Sequence, residues 1–318
     1  MFLNTDSKHI WLNGEFYKWD DAKIHALSHT LHYGLGVFEG LRAYKGNQNG
    51  SIFRLKDHTE RLFSAASKIN IKIPYTQTEL NQLQKDVLIK NNLEEAYIRP
   101  FIFLGPEELG LRANNLSTNV GIACWEWPSY MDPEKKVNGI SIVTSPYNQF
   151  ENPLYSNNKI IGTYVNSIMA LHDAIERGSD EALLLDSNKN ISEGSGENLF
   201  IVKNEQLITP TPDNCLNGIT RQSIIKIAQD EKIGVIEKKL KYEDLVDADL
   251  FIVDNGAGGT NRKVAASRIK TYIGGGTQWQ AVKTANYTAS AGQGVFANTT
   301  SGSFTVTLPA GTLGDEVT

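Results

Sequence analysis

Apolar and polar residues alternate through IWLNGEFY, from Ile10 to Tyr17, and the alternation breaks at Asn13-Gly14. Asn-Gly supplies the positive φ angles of a two-residue turn, so the pattern predicts a β-hairpin. The period then changes. DHTERLFSAASKI, Asp57 to Ile69, sets apolar residues at helical spacing behind a capping Asp, with Glu60 three residues on. Thr78 to Asn91 has the same spacing, and YIRPFIFLG (Tyr97 to Gly105) and NVGIACWEW (Asn119 to Trp127) are apolar and aromatic enough for buried strands. Residues 1–131 therefore read as one small α+β domain, and PSYMDPEKKV, from Pro128 to Val137, reads as a linker.

Beyond the linker, GISIVTSP predicts a strand and Tyr164 to Arg177 a helix stopped by Gly178. EALLLD, Ile191 and ENLFIVK predict strands, with SNKN and KNEQ as turns between them. GITRQSIIKIAQDEKIG predicts a helix that starts at the Gly-Ile-Thr turn and stops at Gly234, before an extended VIEKKL. Residues 132–250 thus read as part of a larger α/β domain that is left incomplete. The last 68 residues differ: they hold 8 of the 67 charged residues, with 11 glycines and 11 threonines. That shift places a boundary near Phe251, followed by a β-rich module of short strands and loops or a poorly ordered tail.

With 318 residues the chain is long enough for two domains with sizeable cores. A net charge of −5 offers no basic excess for nucleic acid or anionic lipid. Cys124 and Cys215 are far apart and lack metal spacing, which makes a reducing cytoplasm the expected compartment. No leader pattern or run of eighteen apolar residues points to a membrane. His25, His29 and His32 fit one helix face, yet no Asp or Cys completes a metal set. Gly34, Gly36 and Gly40 are followed by no P-loop lysine.

Two residues suggest chemistry. Lys159 in NNKIIGTYVNS and Glu193 in SEGSGENLFIV would each pass alone for a solvated charge. Together they suit pyridoxal phosphate, whose aldehyde a lysine holds as a Schiff base and whose pyridine nitrogen a carboxylate keeps protonated. HYGLGVFEGLRAY, RLKDHTERL, YIRP, NKIIGTYVNS, EALLLD, SEGSGENLFIV and NGITRQSI run in the order found in the branched-chain aminotransferases. Over about residues 8–250 the chain resembles that family of fold-type IV pyridoxal phosphate enzymes.

The resemblance implies the two-domain fold-type IV architecture, a homodimer, and transamination of leucine, isoleucine or valine with 2-oxoglutarate. Lys159 becomes the Schiff-base lysine and proton carrier, its pKa lowered by burial near a cationic cofactor. Glu193 becomes the partner of the pyridine nitrogen, Arg61 the grip on the phosphate, and Tyr164 the partner of the phenolate oxygen. Ile219 and Thr220 would give backbone N–H groups to the phosphate, and Leu216 would pack on the ring. Tyr33, Phe38, Tyr97, Arg99, Trp127 and Tyr130 would form the substrate pocket, aromatic walls for a branched side chain and Arg99 for glutamate.

The likeness stops after Ala248-Asp249. The family's glycine-threonine turn, which serves the phosphate and the substrate carboxylate, has only Gly259-Thr260 in its place, followed by Asn261, Arg262 and Lys263. Residues 251–318 instead resemble repetitive segments of phage tail and other virion structural proteins, as a fusion of two sequences would. The departure implies weaker cofactor binding and weak or absent turnover. Two other identities stay open: another fold-type IV enzyme, such as a D-amino-acid aminotransferase or aminodeoxychorismate lyase, or a virion structural protein carrying an inactive aminotransferase part.

Overall fold

The computed structural model describes residues 8–45, 51–127, 139–213, 215–246 and 250–254, with two further short strands at 287–288 and 306–307. The expected linker and Tyr130 lie outside the described residues. Among the latter, no helix is long and apolar enough to cross a membrane.

The hairpin forms as expected: β1 (His9–Leu12) and β2 (Glu15–Lys18) pair antiparallel, with Asn13 and Gly14 at φ 51° and 105°. Next come α1 (His29–Tyr33), β3 (Gly36–Phe38), β4 (Leu41–Tyr44), β5 (Ser51–Ile52), α2 (Leu55–Lys68), α3 (Gln77–Lys90), β6 (Ala96–Leu104) and β7 (Thr118–Trp125). The seven strands make one sheet, ordered β2-β1-β7-β6-β4-β5 with β3 also on β6. Its core joins Trp11, Ile98, Ile102 and Ile122 to Leu62, Leu80 and Val87 of the two helices. The cap of α2 differs from expectation. Arg54 occupies the cap position at φ 46°, and Asp57, in the first turn, pairs with it at 3.0 Å. Thr76 and Glu79 form a complete capping box on α3.

One sheet position shapes the site. β3 and β4 pair with β6 in one continuous register that Glu39 and Gly40 interrupt, opposite Pro100 and Arg99. The Glu39 N–H donates to the Pro100 carbonyl at 2.9 Å, but Pro100 has no N–H to return, so one rung of the ladder is missing there. The Glu39 side chain is almost completely buried at this gap.

The second unit contains β8 (Ile142–Thr144), α4 (Pro153–Ser156), α5 (Tyr164–Glu176), β9 (Glu181–Leu185), β10 (Ile191–Gly194), β11 (Asn198–Lys203), β12 (Gln206–Thr209), α6 (Ile219–Asp230), β13 (Gly234–Glu237), α7 (Tyr242–Val246) and β14 (Leu250–Asp254). Three strands form β10-β9-β8 and four form β13-β12-β11-β14. β11 is buried on both faces: Leu199 and Ile201 join one cluster, Phe200 and Val202 another beneath α6. Gly234 does not stop a helix. α6 ends at Asp230, Lys232 turns at φ 59°, and Gly234 opens β13 parallel to β12. β14 continues the second sheet to Asp254. Of the expected β-rich terminal segment, the structure describes the parallel pair Tyr287–Thr288 and Val306–Thr307.

Candidate active site

Lys159 precedes a single turn, Ile161–Thr163, that leads into α5, which carries Tyr164. Its carbonyl accepts from the Phe38 N–H at 3.1 Å, and Ile160 bridges Val37, so β3 of the first unit fixes this segment. Lys159 Nζ donates to the Tyr164 hydroxyl at 2.7 Å and lies 5.4 Å from the ring centroids of both Phe38 and Tyr164. Burial pulls the amine down, but the lowered value expected from sequence is not the outcome. Tyr164 and the Glu39 carboxylate outweigh burial, and the ammonium is held above the ordinary lysine value.

Glu193 is aimed by an irregularity. Ile191 and Glu193 face adjacent residues, Leu185 and Leu184, so Ser192 is an extra residue that turns the strand. Glu193 accepts from the Leu216 N–H at 3.1 Å, from Asn198 Nδ2 at 3.4 Å, and from Gln149. Asn198 also donates to the Leu216 carbonyl at 2.7 Å. Burial pushes Glu193 up to about 7 against these donors and Lys159.

Arg61 reaches the same place from α2. Its Nε and Nη2 clamp the two oxygens of Glu39 at 2.6 and 2.9 Å, and Nη1 lies 3.5 Å from the Asn217 carbonyl. His58 Nδ1 meets Glu39 at 2.8 Å. Burial raises Glu39, but Arg61 and His58 prevail and hold it at about 2. Ile219 and Thr220 open α6 behind Gly218, where helix geometry leaves the first N–H groups without intrahelical acceptors.

Two small cavities meet around Lys159. One, of about 60 Å³, is lined by Lys159, Tyr164, Glu193, Leu216 and Asn198. The other, of about 50 Å³, is lined by Lys159, Arg61, Leu216, Ile219 and Thr220. The structure thus brings all seven expected cofactor residues to one place. It adds Glu39, His58, Gln149 and Asn198, which sequence reasoning left unassigned. A Cβ on Gly218 would run into Asn198 Oδ1 and one on Gly40 into the Tyr97 hydroxyl, so these two walls approach too closely for a side chain.

The expected substrate residues divide. Arg99 donates through Nε and Nη2 to the Tyr97 hydroxyl at 3.0 and 2.7 Å and stacks over Phe38 at 4.6 Å. Tyr97 packs on Trp127 at 4.8 Å, and Phe38 on Tyr164 at 4.7 Å. These four form one cluster beside Lys159. Tyr33 stands apart: it is exposed, and its hydroxyl accepts from Gly110 N–H at 3.1 Å. The three histidines do not converge on one point. His29 Nε2 meets the Gly110 carbonyl, His32 Nε2 the Ala26 carbonyl, and His25 Nδ1 the Leu27 N–H.

The sequence signature of the class IV aminotransferases matches residues 36–260. The chain belongs to that family. Among curated relatives of this class IV aminotransferase, the branched-chain-amino-acid aminotransferase of Pseudomonas aeruginosa is 45% identical over 241 residues, 76% of this chain and 78% of the relative. The Escherichia coli enzyme of the same name is 41% identical over 244 residues, 76% of this chain and 79% of its own length. The crystal structure of the Escherichia coli enzyme superposes with a TM-score of 0.77 at 39% identity, covering 79% of this chain and 84% of that one. The branched-chain aminotransferase of the archaeon Thermoproteus uzoniensis, solved with norvaline, gives 0.75 at 34% identity, over 84% and 95% of the two chains. The fold is accordingly fold-type IV, mixed α and β.

Proposed function

We propose that this class IV aminotransferase binds pyridoxal phosphate at Lys159 and exchanges amino groups between branched-chain amino acids and 2-oxoglutarate. One observation carries the reading: the Lys159 amine lies between a buried carboxylate and a cationic corner, Arg61 beside the α6 N-terminus. That donor set fits the cofactor, with a lysine for the aldehyde, an anion for the pyridinium, and N–H groups with a guanidinium for the phosphate. Bound pyridoxal phosphate supplies an aldehyde for the amino group and a ring that accepts electrons.

Each side chain then has a task. Lys159 Nζ, steered by the Tyr164 hydroxyl, moves the proton at the substrate Cα. Glu193 gives up its proton readily once a cation faces it, because its acidity already sits at about 7. Arg61, held by Glu39, and the N–H groups of Ile219 and Thr220 hold the phosphate. Leu216 backs the ring. Phe38, Tyr97 and Trp127 exclude water from an aliphatic side chain, and Arg99 receives the acidic one of glutamate. Borohydride trapping with peptide mapping tests the assignment: Lys159 should carry the label, and an unlabelled Lys159 would sink it. Turnover with L-leucine, set against D-alanine and aminodeoxychorismate, separates the branched-chain reading from its fold-type IV rivals.

The same proposal includes a cytoplasmic homodimer. Exposed apolar residues Leu31, Leu111, Val165 and Ile168 support it, lying on α1, a loop bonded to α1, and α5 beside the Gly34–Gly162 contact. Sedimentation should give twice the chain mass. A fusion boundary after the second unit is supported by the composition shift near Phe251 and by a family match that ends at residue 260. Turnover is therefore expected to be well below that of an uninterrupted family member.

A further inference from the structure

Arg54 opens α2 in the left-handed region, φ 46°, and makes no capping bond of its own. Ser, Thr, Asp or Asn would satisfy that position locally. Its guanidinium instead crosses to the second unit: Nη1 donates to the Ile219 carbonyl at 3.0 Å and to Ser223 Oγ at 3.1 Å, and Nη2 to Gln222 Oε1 at 3.1 Å. Nε takes Asp57 at 3.0 Å. Three of the four acceptors belong to the first turns of α6.

The same face of α2 continues the pattern. Seven residues on, Arg61 reaches the Asn217 carbonyl, and seven further, Lys68 Nζ donates to Asn158 Oδ1 at 3.2 Å, next to Lys159. Residues seven apart share a helix face. Helix α2 thereby holds the second unit along one line: the α6 N-terminus, the Leu216–Gly218 loop and the Lys159 segment.

A cation at a helix N-terminus opposes the helix dipole, so dipole electrostatics alone give no reason to place Arg54 there. Its fork instead fixes the direction of α6 and adds positive potential where an anion is to be held. We infer that Arg54 is a positioning residue that aims the α6 N-terminus at the cofactor phosphate. The inference rests on the pyridoxal phosphate reading above and deepens it.

The test compares pyridoxal phosphate with pyridoxal, which lacks the phosphate, by spectroscopic titration of the full chain. Arg54→Gln should weaken pyridoxal phosphate binding about tenfold and pyridoxal binding by less than about twofold. Arg54→Lys should fall between, keeping the charge but not the fork. Gln222→Ala/Ser223→Ala removes two acceptors from the other side and should show a smaller loss with the same selectivity, even if Arg54→Gln fails to fold. Equal loss for both ligands, or unchanged pyridoxal phosphate binding by the folded variants, overturns the inference. A wild-type chain that binds neither ligand overturns the cofactor reading itself, whereas normal binding that ignores Arg54 removes this inference alone.

Discussion

Glu39 and Glu193 are buried carboxylates on opposite walls of one site, 1% and 8% exposed, yet their acidities diverge to about 2 and about 7. Burial raises both and is the largest influence on each. The difference lies in the partners. Glu39 is clamped by the Arg61 guanidinium and bonded to His58, whereas the hydrogen-bond donors to Glu193 among the described residues are neutral amides. One carboxylate already has its cation and serves to hold Arg61. The other is built to receive one.

Removing each charge should break the symmetry of burial. Glu39→Gln leaves Arg61 without its counter-ion and should destabilise the fold by about 3 to 5 kcal/mol, as loss of one partner of a buried pair does. Near pH 5, where folded Glu193 keeps its proton, Glu193→Gln retains an acceptor for Leu216 and should change cofactor-free stability by only about 1 kcal/mol, while abolishing cofactor-dependent turnover at neutral pH. Urea denaturation measures both. Equal destabilisation would show that burial, not partnering, governs the two groups.

The next largest effect is on pH dependence. Glu193 has a folded value of about 7 against an ordinary 4.5. Between these values the folded chain keeps a proton that the unfolded chain has released, so stability falls as pH rises, by roughly 3 kcal/mol across the window. Glu39 has the opposite sign: its contribution is present above 4.5 and is lost as pH falls toward 2. Denaturation of the cofactor-free protein across this range should show both limbs. Saturating pyridoxal phosphate should flatten the neutral one, because a cationic ring nitrogen lets Glu193 ionise in the folded state. A neutral limb unaffected by the cofactor would separate Glu193 from the ring.

The two walls were not equally legible in sequence. Around Glu193, much of the information is local: Lys159 and Tyr164 are five residues apart, and SEGSGEN turns the chain from β10 to β11 so that Glu193 and Asn198 meet. Glu39 depends on Arg61, 22 residues away, and on a sheet gap opposite Pro100, neither of which leaves a periodic trace. FEGLRAY shows a charge among apolar residues, and that isolation was the available signal of a buried ion. The α2 cap was missed for the same reason. Asp57 suits a cap locally, but contacts from Arg54 to α6 decide where the helix begins. Gln149, an ordinary amide in sequence, becomes a donor to Glu193 only once β8 and β10 lie in one sheet.

Adding a methyl to each wall sharpens the comparison at lower amplitude. Gly218→Ala and Gly40→Ala should each destabilise by about 1 to 3 kcal/mol through overpacking, but their functional effects should separate. The first displaces Asn198 from Leu216 and Glu193, which should weaken cofactor affinity. The second displaces the Tyr97 hydroxyl that orients Arg99, which should raise KM for glutamate more than for leucine. Matching changes in both parameters would mean that the walls are not independent.

The smallest effect belongs to the amine between the walls. Tyr164→Phe removes the hydroxyl that Lys159 donates to at 2.7 Å, at about 1 kcal/mol of stability. It also removes the foremost influence holding the ammonium up against burial and leaves Glu39 to oppose burial and Arg61. Lys159 should therefore titrate at lower pH in the variant, read as an earlier rise in labelling by an amine-reactive reagent, with Lys159 located by peptide mapping. The same variant with Glu39→Gln should move further in the same direction, because a second influence raising the amine is gone. A Tyr164→Phe profile identical to wild type would instead assign control of the amine to Glu39 alone, and the first wall would then act on both Arg61 and Lys159.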